Sequence, residues 1–199
     1  MSAAPITVRR GLCETHRSAA AALYWAAFGA KLARPLGPSS SGIAFLRKTL
    51  DGRFAITAVR EGELLGIAGF KTAEGTLIAG EFKDLVATYG RFSAVWRAAI
   101  LMLLDRTPEA GVLTMDGIAV APSARGRGVG TRLLGAIGEE AIAQGATSVR
   151  LDVIDTNPRA QALYVRNGFV AGKTQHLGPL APLFGFSSAL TMRKSVGPA

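Results

Sequence analysis

The sequence predicts a single domain of mixed α+β class over its 199 residues. Two stretches carry this prediction. An apolar run over 113–121 is followed by a glycine-rich loop and then by residues at helical spacing, which indicates a strand, a loop and a helix. Further on, an alternating run over 149–154 leads into a helix that begins at Asn157-Pro158 and ends before Gly168. A chain of this length can bury one core without disulfides or metals.

The elements before residue 71 are predicted from their apolar spacing. A first strand is expected over 6–9 and a helix over 14–32, followed by a loop because Pro35 and Pro38 interrupt the helix. A second helix is expected over 43–50, and strands over 54–60 and 64–70 read as a hairpin. The first helix is predicted to bury a face made of small and apolar residues: Ala22, Leu23, Ala26, Ala27 and Ala30.

A segment of about forty residues, 71–111, separates this hairpin from the apolar strand. It contains FSAVWRAAILMLL over 92–104, a helix with apolar residues on almost every side, interrupted by Arg97. The helix is too short to cross a membrane. We expect it to pack inside this protein, to cover an acceptor site or a subunit contact, or to touch a membrane surface. A closing strand is predicted over 186–192.

Composition limits the function classes. Cys13 is the single cysteine, so no internal disulfide can form, which fits a reducing cytoplasm. His16 and His176 are the two histidines, and together with Cys13 they offer no metal-ligand cluster, so no metal is expected. Cys13 and His16 could also be read as a nucleophile and its base. The simpler interpretation is that they are two residues near the start of a helix without a catalytic role.

The net charge of +9 does not by itself indicate nucleic acid. The basic residues are dispersed, with no run longer than two and no interleaved aromatic residues of the kind that bind single strands. No nucleic-acid partner is therefore expected. No apolar run reaches the roughly eighteen residues that a membrane span needs, and the N-terminus lacks a signal-peptide pattern. The sequence predicts a cytoplasmic protein without a transmembrane segment.

The glycine loop, which we define as residues 125–130, reads Arg-Gly-Arg-Gly-Val-Gly. It stands between a strand and the start of a helix, where unpaired backbone N–H groups and the helix dipole favour an anion. Glycines let such N–H groups approach a phosphate closely. The dinucleotide fingerprint would need glycine where Thr131 stands, and no nucleotide P-loop pattern is present. A simple glycine turn is the structural alternative.

The pattern R-x-x-G-x-G after an apolar strand, followed about thirty residues later by N-x-x-A-x-x-L-Y and G-F, resembles the GCN5-related N-acetyltransferase family. The resemblance implies a central mixed, mostly antiparallel sheet flanked by helices. The apolar strand over 113–121 would be the cofactor strand, and 71–111 would be a helical insertion before it. It implies acetyl-CoA as the acyl donor and a primary amine of a small molecule, peptide or protein as the acceptor. The residues implied to bind the donor are Ile118, Ala119, Val120, Arg125, Gly126, Arg127, Gly128, Val129, Gly130, Thr131 and Asn157.

The resemblance also implies catalytic roles. Tyr164, seven residues after Asn157 and thus on the same side of its helix, would protonate the departing thiolate. The base is open between Asp152 and Asp116, because the position from which other members offer a base on the cofactor strand is Thr114 here. An ion pair with a neighbouring arginine, Arg132 or Arg150, is the structural alternative for either aspartate.

The remaining expectations concern the cofactor strand, an alternative function and the oligomeric state. Asp116 is expected on the same face of the strand as Thr114, Ile118 and Val120. Gly117 suggests a bulge that opens the backbone, where the N–H of Val120 could serve as an oxyanion contact. A non-catalytic acyl-CoA-binding module of the same fold is the alternative function. A homodimer is a further prediction.

Overall fold

The computed structural model describes residues 4–104 and 107–197. In this part of the chain, eight strands form one sheet: β1 (Thr7–Arg10), β2 (Ala55–Arg60), β3 (Glu63–Thr72), β4 (Gly75–Thr76), β5 (Val112–Val120), β6 (Ser148–Ile154), β7 (Val170–His176) and β8 (Ser188–Ser195). The helices are α1 (Arg17–Leu36), α2 (Ser39–Thr49), α3 (Phe82–Tyr89), α4 (Arg91–Leu104), α5 (Val129–Ala143), α6 (Pro158–Arg166) and α7 (Ala181–Phe184).

The sheet has the order β1-β2-β3-β5-β6-β8-β7, and β4 pairs with β3. Among the described strands, β5 and β6 form the one parallel pair, and all other neighbours are antiparallel. The mixed, mostly antiparallel sheet is confirmed. The hairpin between β2 and β3 is also confirmed, with Arg60 opposite Glu63.

The parallel pair is short, and this creates the central feature of the fold. β5 and β6 pair only where residues 112–114 lie beside 148–150. Beyond these residues β5 continues to Val120 and β6 to Ile154 without pairing to each other. The sheet is therefore open between the second halves of β5 and β6. We call this opening the strand gap.

Apolar clusters cover both faces of the sheet. Consecutive residues Ala55 and Ile56 of β2 belong to different clusters, and so do Ile67 and Ala68 of β3. Since successive side chains of a strand point to opposite faces, the two clusters lie on opposite sides. One is built mainly with α5 and also contains Tyr164 of α6, and the other is built mainly with α1 and α2.

The buried face of α1 differs from the predicted one. Ala22, Ala26, Ala27 and Ala30 are exposed, and Leu23 is half-buried. The buried residues are instead Ala20, Ala21, Tyr24, Leu32, Pro35 and Leu36. The prediction was wrong because alanines dominate the helix and cost little to expose, so that a few larger side chains decide which face turns inward.

The prolines do not divide the chain where the sequence suggested. α1 continues through Pro35 and ends at Leu36, and α2 begins at Ser39, within the predicted loop. Proline removes one helical hydrogen bond. Pro35 and Leu36 are both buried, and this tertiary packing offsets the loss near the helix end.

The expectation that the helix over 92–104 packs inside this protein holds for one face only. Ala94 is buried, and Ala98 and Leu101 pack against the α1 cluster. Another face exposes large apolar side chains, which we call the α4 stripe: Phe92, Val95, Trp96, Met102 and Leu103. Positions 92, 95, 96, 102 and 103 follow helical spacing, so they form one side of α4. In the described residues no helix is long and apolar enough to cross a membrane.

A bulge in β5 changes which residues share a face. Gly69 lies opposite Gly117 but Phe70 lies opposite Met115, so Asp116 is the extra residue. Leu113 and Met115 belong to the α5-side cluster, and beyond the bulge Ile118 and Val120 pack against that same cluster. The expectation that Asp116 shares one face with all of Thr114, Ile118 and Val120 is therefore wrong, because the extra residue inverts the alternation and leaves Thr114 on the face opposite to Ile118 and Val120. The bulge suggested by Gly117 is confirmed.

Candidate active site

The glycine loop connects β5 to α5 and presents an open backbone surface. Gly126 and Gly128 adopt φ of 73° and 75°, and a side chain built on either would meet nothing within 4 Å. Gly128 is the N-cap of α5 and provides no side chain to accept from the first-turn N–H groups. These amides remain available to an anion, and the helix dipole adds a favourable field. The loop fits a phosphate of the donor.

Close packing holds this loop against α6. A Cβ added to Gly130 would lie 3.0 Å from Leu163 Cδ2. On the sheet side, a Cβ added to Gly66 of β3 would lie 3.0 Å from Leu133 Cδ1. The first turns of α5 are therefore fixed between β3 and α6, because both contacts have room only for glycine.

The strand part of the predicted donor site adjoins the loop. Ile118 and Val120 are half-buried and Ala119 is buried at the end of β5. Arg125 donates from Nε to the carbonyl of Val120 at 3.3 Å, which ties the loop to the strand end. Gly126, Arg127, Gly128 and Thr131 are exposed or half-buried on the same loop and first helical turn. The structure thus brings the two predicted donor-binding segments together.

Asn157 and Tyr164 occupy the two ends of α6. Asn157 Oδ1 accepts from the backbone N–H of Ala160 at 3.1 Å, so its predicted role as N-cap is confirmed. Tyr164 is buried, with its ring centroid 5.8 Å from that of Phe169. Burial raises the pKa of Tyr164. Its hydroxyl therefore stays protonated at neutral pH, as a proton donor must.

The two aspartates are held by threonines from neighbouring strands. Thr191 of β8 donates from Oγ1 to Asp152 Oδ1 at 2.6 Å, and Arg150 Nη2 lies 3.8 Å from the same oxygen. Thr76 of β4 donates from Oγ1 to Asp116 Oδ2 at 2.6 Å. The ion pair with Arg150 that the sequence offered as a structural role is present for Asp152, at the outer limit of contact.

Both aspartates line one cavity of about 450 Å³, together with Thr114. The sequence reading had not placed the other polar residues of this cavity: Lys31, Lys71, Arg150, Gln175 and His176. Its apolar lining includes Leu103 from α4 and Phe186 and Leu177 from the C-terminal part of the chain. Segment 71–111 therefore contributes to the cavity wall, which supports the acceptor-site alternative for α4.

Glu109 holds Arg150, one of the residues that line the cavity. It pairs with Arg150 of β6 and with Arg193 of β8. The hydrogen bond from Arg193 is the main reason that the pKa of Glu109 lies below its usual range, and the charge and hydrogen bond of Arg150 contribute. The carboxylate thus links two neighbouring strands at the side of the cavity.

Tyr24 is the residue that the sequence reading missed. It is 4 % exposed on α1, and its ring centroid lies 4.4 Å from that of Phe28. Burial raises the pKa of Tyr24, and the charges of Asp116 and Tyr164 raise it further. Tyr24 is therefore within electrostatic range of two of the predicted catalytic residues. Its signal in the sequence was weak, namely one tyrosine in an alanine-rich helix.

Cys13 and His16 do not form a catalytic pair. Cys13 is exposed and accepts from Thr15 Oγ1 at 3.2 Å. His16 donates from Nε2 to the carbonyl of Gly62 in the hairpin turn at 2.8 Å. Within the described residues, no group of three or more histidine, cysteine, aspartate or glutamate side chains could hold a metal ion.

Comparison with known proteins identifies the family of this chain. The model of the acetyltransferase (GNAT) family matches residues 19–169. A GCN5-related N-acetyltransferase from Kribbella flavida has a similar fold, with a TM-score of 0.63 and 18 % identity over 96 % of this chain and 98 % of the other. The ribosomal-protein-S18-alanine N-acetyltransferase from Escherichia coli has a TM-score of 0.57 and 16 % identity over 98 % and 96 %.

A third similar structure, a protein from Bacillus anthracis, was solved in complex with acetyl coenzyme A. Its TM-score is 0.50, with 16 % identity over 72 % of this chain and 62 % of the other. At these identities the solved structures establish the fold, and the family model, which spans three quarters of the chain, establishes the relationship. The chain belongs to the GNAT family of acetyltransferases.

Proposed function

We propose that the protein is an N-acetyltransferase that transfers an acetyl group from acetyl-CoA to a primary amine of a small molecule or polypeptide. The observation that carries this proposal is the arrangement around the strand gap. The glycine loop adjoins the end of β5, which borders the gap, and a cavity with two carboxylates also borders β5 and β6. Such an arrangement suits a donor and an acceptor that meet at one point.

The residues around the glycine loop fit the donor. The first-turn N–H groups of α5 and the open surface at Gly126 and Gly128 would hold its pyrophosphate. Ile118, Ala119 and Val120 would contact its extended arm, and Asn157 lies at the start of the adjacent helix. Acetyl-CoA, when bound, supplies an acyl group activated as a thioester.

The acceptor must lose a proton before it can attack. An amine with a pKa near 10.4 is neutral in only about one molecule in 2,500 at pH 7, which costs roughly 4–5 kcal/mol. A carboxylate in the cavity can take this proton directly or through water. Both Asp152 and Asp116 line the cavity and could take the proton. We assign this role to Asp152 ahead of Asp116. The backbone N–H of Val120 would stabilise the acyl oxygen, and Tyr164 would protonate the sulfur.

The alternative is a module that binds acyl-CoA without catalysis. Such a module would need the glycine loop but neither a buried tyrosine on α6 nor a cavity lined by carboxylates. The presence of Tyr164, Asp152 and Asp116 at these places favours the enzyme.

One experiment separates these two functions. Purified protein is supplied with acetyl-CoA and a panel of small amines and amino-terminal peptides, and release of free thiol is followed. CoA binding is measured in parallel by calorimetry. Acceptor-dependent thiol release supports the enzyme. Tight CoA binding without thiol release across the panel would favour the binding module, and absence of CoA binding would refute both.

Two further parts of the proposal concern the setting of the protein. We propose a cytoplasmic location, on the ground of the single, exposed cysteine. We propose a homodimer whose contact is the α4 stripe, because large exposed apolar side chains on one helix face usually mark an interaction surface.

A further inference from the structure

The three tyrosines of the chain differ in what their hydroxyl groups contact. Tyr89 of α3 donates to the carbonyl of Leu36 at 2.5 Å. Tyr24 and Tyr164 are buried, at 4 % and 5 % exposure. Within the described residues, neither of these two hydroxyls has a hydrogen-bond partner. Neither hydroxyl oxygen is among the fully buried atoms that lack a partner. Each ring is therefore buried while its hydroxyl stays accessible, and such a hydroxyl can donate to a bound molecule.

Packing places Tyr24 beside the cofactor strand. Phe28 lies so close to β5 that a Cβ on Gly117 would be 2.3 Å from its Cζ. Tyr24, one turn earlier on α1, stacks on Phe28 and shares an apolar cluster with Ala119. α1 thus packs along β5, and Tyr24 shares its cluster with Ala119, next to the residue at which β5 ends.

Tyr164 comes from the opposite side of the sheet. It belongs to the α5-side cluster, together with Val153 of β6. The strand gap is where two side chains from opposite faces can approach each other. The negative charge on ionised Tyr164 opposes ionisation of Tyr24, as does the charge of Asp116, so the two hydroxyls lie within electrostatic range.

Both hydroxyls are donors rather than bases. Burial raises the pKa of Tyr24 and of Tyr164, so each stays protonated throughout the neutral range. A thioester has two atoms that gain negative charge during transfer, the acyl oxygen and the sulfur. These atoms point away from the acyl carbon in different directions, and two donors on opposite sides of the sheet can each serve one.

Building on the proposed function, we propose that Tyr24 is a second catalytic residue, whose hydroxyl donates a hydrogen bond to the acyl oxygen while Tyr164 protonates the sulfur. The transfer forms a C–N bond and breaks the C–S bond. The ammonium form of the acceptor first gives one proton to the base, which releases it to solvent. As the neutral amine attacks, a second proton leaves the nitrogen for the base, and one proton passes from Tyr164 to the sulfur. Tyr24 keeps its proton throughout, and the base returns its proton to Tyr164 through solvent.

The contact can be tested without turnover. Protein labelled with 13C at Cζ of tyrosine gives three signals, of which Tyr89 and Tyr164 are assigned from their phenylalanine variants and Tyr24 by elimination. Acetyl-CoA should shift the Tyr24 and Tyr164 signals, whereas CoA, which lacks the acyl oxygen, should shift that of Tyr164 and leave Tyr24 nearly unchanged. Tyr89 serves as the internal control and should respond to neither. A Tyr24 signal that responds equally to CoA and acetyl-CoA, or to neither, would overturn the proposal.

Kinetics provide the second test. Tyr24→Phe should lower kcat about 10- to 100-fold. This loss is at or below the lower end of the range for removal of one oxyanion donor, because the N–H of Val120 remains as a second donor. CoA affinity should stay within about twofold. Tyr89→Phe, which also removes one tyrosine hydroxyl near α1, should leave kcat unchanged. If wild type transfers acetyl and Tyr24→Phe keeps its kcat, the role of Tyr24 is refuted while the proposed function stands. If wild type neither binds CoA nor releases thiol, the proposed function itself fails.

Discussion

The ring of Phe28 occupies the space that a side chain at position 117 would need. A Cβ on Gly117 would lie 2.3 Å from Phe28 Cζ, closer than real side-chain atoms approach. This contact fixes α1 against β5 beside the bulge at Asp116, and Phe28 in turn supports Tyr24 at a centroid distance of 4.4 Å. The position of a helix and the geometry of the candidate site therefore depend on one glycine.

Gly117→Ala should displace Phe28 and with it Tyr24. We expect a loss of about 1–3 kcal/mol in the free energy of unfolding, the usual cost of overpacking, and a reduced kcat. Denaturant unfolding and thiol release measure the two effects. Gly138→Ala is the control, since a Cβ there would meet only Val196 at an ordinary 3.7 Å. Phe28→Leu added to Gly117→Ala should recover part of the stability, and an unchanged stability of Gly117→Ala would contradict the role given to this contact.

Gly128→Val should weaken CoA binding at least tenfold, which is about 1.4 kcal/mol. The substitution places a β-branched side chain where φ is 75° and covers the first-turn N–H groups of α5. Calorimetry with CoA measures the affinity, and circular dichroism checks the fold. Gly135→Val on the same helix has open space and an ordinary φ, so it should bind CoA as wild type does. Equal binding by Gly128→Val would show that the phosphate site lies elsewhere.

Tyr164→Phe should lower kcat by about 10²–10⁴-fold, the usual contribution of a positioned acid, while CoA affinity holds because packing on Phe169 is kept. The raised pKa of Tyr164 adds a condition on pH. The protonated hydroxyl is the active form, and because burial raises the pKa, this form persists at pH values above the ordinary pKa of tyrosine. The wild-type rate should therefore show no fall from tyrosine ionisation below about pH 10. Full kcat in the variant would mean that water protonates the sulfur.

Asp152→Asn and Asp116→Asn should behave differently. Removal of the true base should abolish the fall of the rate at low pH, since that fall reports protonation of the base. Removal of a structural aspartate should first lower the free energy of unfolding. We expect the kinetic effect from Asp152. Thr191→Val and Thr76→Val are matched controls, since each removes the hydroxyl that donates to one aspartate but leaves the carboxylate. An acid limb retained in both aspartate variants would assign the base to another group.

The α4 stripe should mediate self-association. Light scattering should give twice the 20.7 kDa of one chain, and Phe92→Ser with Trp96→Ala should return the mass to that of the monomer. Ile142→Ser is the control, because Ile142 is also an exposed apolar residue but lies on α5. A monomeric wild type would refute the dimer. Co-sedimentation with lipid vesicles, together with a blue shift of tryptophan fluorescence, would instead identify a membrane-contacting surface.

Local chemistry in the sequence determined much of the candidate site. The glycines at 126, 128 and 130 and the Asn157-Pro158 helix start act through the backbone of their own neighbourhood. The order of strand, loop and helix can therefore be predicted without knowledge of distant contacts. The family follows from these same residues, as the match over 19–169 shows.

The face of α1, the exposure of α4 and the bulge at Asp116 were decided only by tertiary structure. Alanines permitted α1 to turn either way, and the space above Gly117 selected the face that carries Tyr24 and Phe28. An apolar helix such as α4 buries only the side that meets a neighbour. The bulge arises from pairing with β3, whose register the sequence of β5 does not contain. Periodicity records the apolar residues of one element, whereas the choice among its faces depends on the elements that pack against it.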